Sequence, residues 1–173
     1  MKRAAQGILQ SVETLQQANR RILDRLRPLY IQELGLERSI QTLLQNVKAQ
    51  APDLKVTSQI DTDLNEVDGL LSQTIYRVIQ EAVTNVLRHA RANAMHVAAD
   101  INDREVIVEI SDDGIGFPAD RMFGRGLTGM LERARALSGS LELLREGGRT
   151  CVRCRLPVGD SAAHARSAKP TQG

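Results

Sequence analysis

Aromatic side chains are scarce in this chain of 173 residues, which has two Tyr, two Phe and no Trp. That leaves little material for the base-stacking surfaces of single-stranded nucleic-acid binders. Neither sign of charge dominates: a net charge of +2 at pH 7 gives no reason to expect direct nucleic-acid binding. No apolar run approaches the roughly 18 to 20 residues that cross a bilayer. The start, Met1-Lys2-Arg3, leads into a polar stretch from Gln6 to Gln17 instead of a signal-peptide core, so the chain as given is expected in the cytoplasm. Cysteine is limited to Cys151 and Cys154, whereas a structural zinc site needs about four ligands, and no second pair or nearby histidines follow. Thr150 to Leu156 reads as a strand, on which this odd separation points the two thiols to opposite faces.

What is present suits one domain of roughly 100 to 150 residues plus an extension. Ile8, Val12, Leu15, Ile22 and Leu26, with Asn19 in the remaining slot, follow a heptad seam and predict a helix over residues 1–27. Its apolar stripe packs either on a partner or on its own domain. Pro28 interrupts it, and Leu34-Gly35-Leu36 reopens the chain into a second helix, Glu37 to Gln50, with Ile40, Leu43, Leu44 and Val47 on one side. Alternation from Leu54 to Ile60 predicts a strand. A long central helix is expected from Glu66 to Ala90, its broad apolar face running from Val67, Leu70 and Leu71 to Val86 and Leu87. Strands Ala94 to Ile101 and Glu105 to Ile110 then form an antiparallel pair around Asn102-Asp103. A helix from Leu127 to Leu137 stops at Gly139, and a last hairpin, Leu141 to Leu144 and Cys151 to Leu156, turns at Glu146-Gly147-Gly148. Helices gathered on a mostly antiparallel sheet make a two-layer α+β sandwich. The tail from Gly159 to Gly173 has little to bury and reads as disordered.

Three segments carry chemistry. In Glu81-Ala-Val-Thr-Asn85-Val-Leu-Arg88-His89, helical spacing puts Glu81, Asn85 and Arg88 or His89 on one face, a set able to ligate magnesium through oxygen and to meet phosphate with positive charge. Ser111-Asp112-Asp113-Gly114-Ile115-Gly116 follows a strand directly. Its glycines allow unusual dihedrals and close approach of a ligand, while a fixed carboxylate can accept a hydrogen bond from an exocyclic amine such as that of adenine. Phe123-Gly124-Arg125-Gly126-Leu127-Thr128-Gly129-Met130 runs a glycine-rich loop into a helix whose first amides can hold phosphate oxygens.

In joint order, E-x-x-x-N, D-x-G-x-G, G-x-G-L-x-G-M and a final G-R-T before a strand, these segments resemble the ATPase superfamily shared by histidine kinases, gyrase, the heat-shock chaperone of that fold and the mismatch-repair ATPases. The Walker phosphate loop is absent, as it is in that superfamily. Leu26-Arg-Pro28, Leu34-Gly-Leu36, Gln80-Glu-Ala82 with Asn85, and Gly129-Met-Leu-Glu-Arg133 look like bacterial sensor histidine kinases of the nitrate- and hexose-phosphate-responsive type, over about residues 10 to 158.

The resemblance implies an ATP-binding catalytic domain at 54–158, a dimerisation-helix remnant at 1–28, a linker and packing helix at 29–53, and a tail at 159–173. By it, Asp112 accepts the adenine amine hydrogen bond, Gly114 and Gly116 shape the pocket floor, and Thr150 steadies a water beside the base. Asn85 holds magnesium, Glu81 polarises the attacking group, and Arg88 with the amides of Gly124, Gly126 and Thr128 faces the phosphates. Residues 117–123 are the ATP lid, and His89 is structural. The implied partners are a second copy in the intact kinase and a response regulator with a helix-turn-helix output domain, with membrane attachment only through an N-terminal sensor region. The family's acceptor histidine sits in a basic segment followed by an acidic residue, which none of His89, His96 and His164 matches, so the chain is expected not to phosphorylate itself. Gly148-Arg149-Thr150 departs from the family, where glycine often directly precedes the threonine. The alternatives are an anti-sigma-type serine kinase, a partner-switching module with the same ATP fold, and a dimerisation protein with a dead nucleotide site. The kinase-like Leu26-Arg-Pro28 and Leu34-Gly-Leu36 argue against the first, and intact Asn85, Asp112 and paired glycines against the second.

Overall fold

Gly35 turns the chain into the helix that follows it by adopting φ +81°, a backbone region that side-chain-bearing residues avoid. A computed structural model describes residues 31, 33–102, 104–117 and 125–159. The heptad segment, Pro28, the 117–123 segment beyond its first residue, and the tail after Gly159 lie outside the described residues. Helix α1 (Leu36–Gln50) starts one residue before the expected Glu37 and buries Leu36, Ile40, Leu44 and Val47 along one side. Gly35 has no side chain to cap it. The cap comes from across the chain: Asn65 Oδ1 accepts the Glu37 N–H at 3.1 Å.

Strand β1 (Lys55–Ile60) buries only Val56. A 3-10 turn, Thr62–Glu66, then leads to α2 (Gly69–Asn85), whose N-terminus is capped by Asp68 accepting the Leu71 N–H at 2.8 Å. The single helix expected over 66–90 is therefore shorter at both ends. Asp68 takes an extended, capping conformation, and beyond Asn85 the helix widens into a π turn, Val86–Ala90. Leu70 at 63% and Leu87 at 38% exposure are not part of the core face to which the sequence pattern assigned them. Ile75, Ile79, Ala82 and Val83 are, at the centre of the main hydrophobic cluster.

The remaining elements are β2 (Ala94–Ile101), β3 (Glu105–Asp112), α3 (Arg125–Ala136), β4 (Ser140–Glu146) and β5 (Arg149–Pro157). Together the strands make a five-stranded sheet in the order β1-β2-β3-β5-β4, with β1 parallel to β2 and every other pair antiparallel. The β4–β5 turn is Gly147-Gly148 with φ +57° and +80°, the doubly left-handed geometry that two-residue hairpins need. Period-two burial in β2, β3 and β5 sends Val97, Val108, Ile110, Val152 and Leu156 into the core beneath the helices. The opposite face carries the ion pairs Arg153–Glu109 and Arg155–Glu105. Cys154 points inward and is fully buried, which pushes its thiol up to about 12, while Cys151 faces the half-exposed side, as the odd spacing requires. This is the two-layer α+β sandwich expected from the element order.

Candidate functional site

At one end of the sheet the inner face finishes in a row of neighbours: Met95, Asp112, Thr150 and Arg145 are paired across β2, β3, β5 and β4. Asp112 is the last residue of β3 and Thr150 the second of β5, and both are buried, at 6% and 2% exposure. One Asp112 oxygen accepts the Gly114 N–H at 2.8 Å, and the other has no partner among the described residues. Burial holds the Asp112 carboxyl above the ordinary carboxylate range, against the opposing pull of the Gly114 hydrogen bond; the neighbouring Asp113 charge raises it further and Arg145 lowers it.

Asp113 has a different task, which the sequence did not reveal. Its Oδ1 accepts the N–H groups of Asn93 and Ala94, both at 2.8 Å, and its own N–H donates to the Ala94 carbonyl at 3.3 Å. The loop after β3 is thereby tied to the start of β2. Those backbone donors, Ala94 first, hold the Asp113 carboxyl below its usual value.

The two glycines of the loop are required for separate reasons, Gly114 by a backbone contact and Gly116 by its left-handed φ. A Cβ on Gly114 would run into the carbonyl of Ala90, the end of the π turn, and that same carbonyl accepts the Ile115 N–H at 2.8 Å. Gly116 has φ +78°, and a Cβ there would meet the Arg145 guanidinium. Arg145 Nη1 also donates to Thr150 Oγ1 at 3.4 Å. Arg145 was missed in the sequence because its proximity depends on the register set by the Gly147-Gly148 turn.

The helix row is half as long as the periodicity implied. Glu81 and Asn85, one turn apart on α2, are half-buried, and neither side chain makes a hydrogen bond or ion pair among the described residues. Arg88 and His89 lie beyond the change of pitch in the exposed part of the π turn, so they do not continue the Glu81–Asn85 face at regular α spacing. Gly126, in the first turn of α3, fits directly against Glu81: a Cβ would strike its carboxylate. An acid at that position is favoured by the positive end of the helix dipole. Thr128 is half-buried in the same turn and already engaged in an interaction. Gly124 lies outside the described residues. Among the described residues no group of three or more His, Cys, Asp or Glu side chains is arranged to hold a metal.

Residues 71–160 match the family described as histidine kinase-, DNA gyrase B- and HSP90-like ATPase. The chain is 35% identical over 147 residues to the signal transduction histidine-protein kinase/phosphatase UhpB of Salmonella typhimurium, covering 79% of this chain and 29% of that protein. With the oxygen sensor histidine kinase NreB of Staphylococcus carnosus it shares 29% identity over 139 residues, covering 78% of this chain and 40% of that one. The chain thus spans less than half the length of these curated relatives. The fold is that of the blue-light activated histidine kinase of Erythrobacter litoralis, with a TM-score of 0.70 at 22% identity over 84% of this chain and 50% of that one. It is also that of the histidine kinase AdeS of Acinetobacter baumannii, with a TM-score of 0.62 at 15% identity over 90% and 84%. The buried carboxylate beside its glycine loop and the half-buried acid and amide on α2 belong to a chain that is a member of the histidine kinase-, gyrase- and HSP90-like ATPase family, in a form similar to the catalytic domains of sensor histidine kinases.

Proposed function

We propose that this chain binds magnesium-ATP between the Asp112–Gly116 loop and the first turn of α3, and presents the terminal phosphoryl group to a histidine, from which it passes to an aspartate on a response regulator. The observation that carries this reading is Asp112: a buried carboxylate with one oxygen unpartnered among the described residues, set beside Thr150 and a glycine floor. A buried acceptor of this kind stands to gain a donor, and the adenine exocyclic amine supplies one at the right end of the site.

In this reading Asp112 accepts from the base amine, Gly114 and Gly116 leave its plane room, and Thr150 holds a water at its edge. The amides of Gly126 and Thr128, in the first turn of α3, are assigned to the phosphates, and Gly124 and Arg88 are assigned there from the sequence pattern alone. Magnesium fits the donors present, because Asn85 offers a hard amide oxygen without a partner among the described residues and an ion of this type keeps waters and phosphate oxygens for its other positions. When bound, the ion neutralises charge on the phosphates. Glu81, one turn before Asn85, is placed to polarise the attacking imidazole. Positioning and charge neutralisation provide most of such a transfer, so the domain binds ATP whether or not an acceptor is at hand.

None of the three histidines fits the acceptor: His96 is on β2 hydrogen-bonded to Thr57, His89 is in the π turn, and His164 is in the tail sequence. The chain therefore does not label itself in this reading, and the acceptor comes from a dimerisation helix, to which the heptad pattern of residues 1–28 is assigned. Residues 29–53 link that helix to the catalytic domain at 54–158, the intact kinase is a homodimer, and its membrane attachment lies in a sensor region.

Calorimetric titration with a non-hydrolysable ATP analogue, with and without magnesium, tests the reading. Saturable binding strengthened by magnesium, and weakened about fivefold to a hundredfold in Asp112→Ala, is the expected result, since an unpaired buried polar group costs about 1 to 3 kcal/mol. Equal affinity in Asp112→Ala would remove the base pocket from this position. Incubation with labelled ATP is expected to give no self-labelling until a histidine-bearing dimerisation fragment is added.

A further inference from the structure

Asp112, Thr150 and Met95 are buried, yet the fourth member of their row is an exposed arginine whose charged end reaches Thr150 and Gly116. Arg145 leaves β4 on the inner face, opposite Thr150. Two independent contacts fix where its guanidinium goes. Nη1 donates to Thr150 Oγ1 at 3.4 Å, and the same nitrogen takes the space that a Cβ on Gly116 would fill. The left-handed φ of Gly116 and its missing side chain open a slot on the pocket floor, and a planar group from the protein itself lies in it. Arg145 also lies close enough to Asp112 for its charge to act on that carboxylate.

We propose that Arg145 is a built-in competitor for the base pocket, its guanidinium lying against Gly116 and Thr150 in the space the adenine needs, so that nucleotide seats only when this side chain swings out. The proposal rests on the nucleotide reading above and adds the residue that sets the pocket's apparent affinity. A guanidinium is flat with weakly hydrated faces, the shape that a slot for a base accommodates. Its hold is weak: one long, part-buried hydrogen bond at the end of a side chain that is exposed overall. Displacement is therefore inexpensive but not free, and affinity falls by the fraction of time the pocket stands open.

Titration of the full chain with magnesium-ADP separates this proposal from the reading it rests on. The parent protein and Asp112→Ala report on the pocket itself, and Arg145→Ala and Arg145→Lys report on the competitor. Arg145→Ala is expected to bind about threefold to tenfold more tightly than the parent, as for a pocket open between about a third and a tenth of the time. Arg145→Lys keeps the positive charge without the flat group and is expected to tighten as well. Unchanged or weaker binding by Arg145→Ala would overturn the proposal while leaving the pocket intact, as would tightening by Ala with none by Lys, which would make charge the cause. Absence of binding by all four proteins would overturn both the reading and the proposal. Melting temperatures taken alongside distinguish a structural role, since a side chain needed for folding would lower stability and affinity together.

Discussion

Two adjacent carboxylates, Asp112 and Asp113, respond to acid in opposite senses because one is buried and the other is held by backbone donors. The raised Asp112 value means that the folded chain binds this proton more tightly than the unfolded one, so its contribution to stability is full below the ordinary carboxylate range and is lost as pH rises through the raised value. Asp112→Asn is expected to melt above the parent at pH 7, with the gap closing as pH falls through the ordinary carboxylate range around 4. Equal melting temperatures at neutral pH would mean that the buried charge carries no cost. Asp113 is the reverse case: its lowered value gives stability that is present above the ordinary range and lost as pH falls through the depressed one. Asp113→Ala is expected to melt below the parent at pH 7 and to converge with it in acid, as thermal scans at both pH values would show. The segment holding Asp112 was legible in the sequence as D-x-G-x-G directly after a strand, but its place as the last, inward-facing residue of β3 was not, since the strand was expected to end at Ile110. The work of Asp113 was not, because it depends on the start of β2 arriving beside it from 19 and 20 residues away.

Among the elements, amphipathic periodicity found every α-helix and strand described but not the 3-10 turn Thr62–Glu66, and the other discrepancies cluster at ends, where single hydrogen bonds decide. Glu66 and Val67 looked helical from their neighbours, yet Asp68 claims the cap and starts α2 at Gly69. Val86 to Ala90 kept the apolar spacing of a helix while the chain widened into a π turn, which buries Val86 and Ala90 and turns Leu87, Arg88 and His89 outward. No local pattern announces such a change of pitch. The start of α1 was legible from Gly35, but not its cap, since Asn65 is 28 residues from Glu37. Asn65→Ala is expected to remove about 1 kcal/mol of stability, comparable with the loss of an ordinary N-cap, as urea denaturation would measure. A change within error would leave Asn65 as a bystander.

For the molecule as a whole, the layer arrangement followed from composition and order of elements, but the strand order did not. Placing β5 between β3 and β4 is what gathers Arg145, Thr150 and Asp112, and that placement is fixed by long-range pairing that no window of sequence contains. The core has one centre, α2, and Ile79 there is fully buried. Ile79→Ala is expected to cost about 2 to 5 kcal/mol out of the 5 to 15 typical of a domain. If the folded form alone binds nucleotide, magnesium-ATP at about 100 times its dissociation constant restores roughly 2.7 kcal/mol, and thermal melts of the variant should rise accordingly; no rise, given measured binding, would mean that the unfolded chain binds too. The contact of Gly114 with Ala90 carries a last consequence. Because not even a methyl group fits between that glycine and the Ala90 carbonyl, the Asp112–Gly116 loop and the π turn after α2 are packed as one unit. In the proposed nucleotide site, that single peptide oxygen is the joint between the base side and the phosphate side, and neither side is re-engineered without carrying the other along.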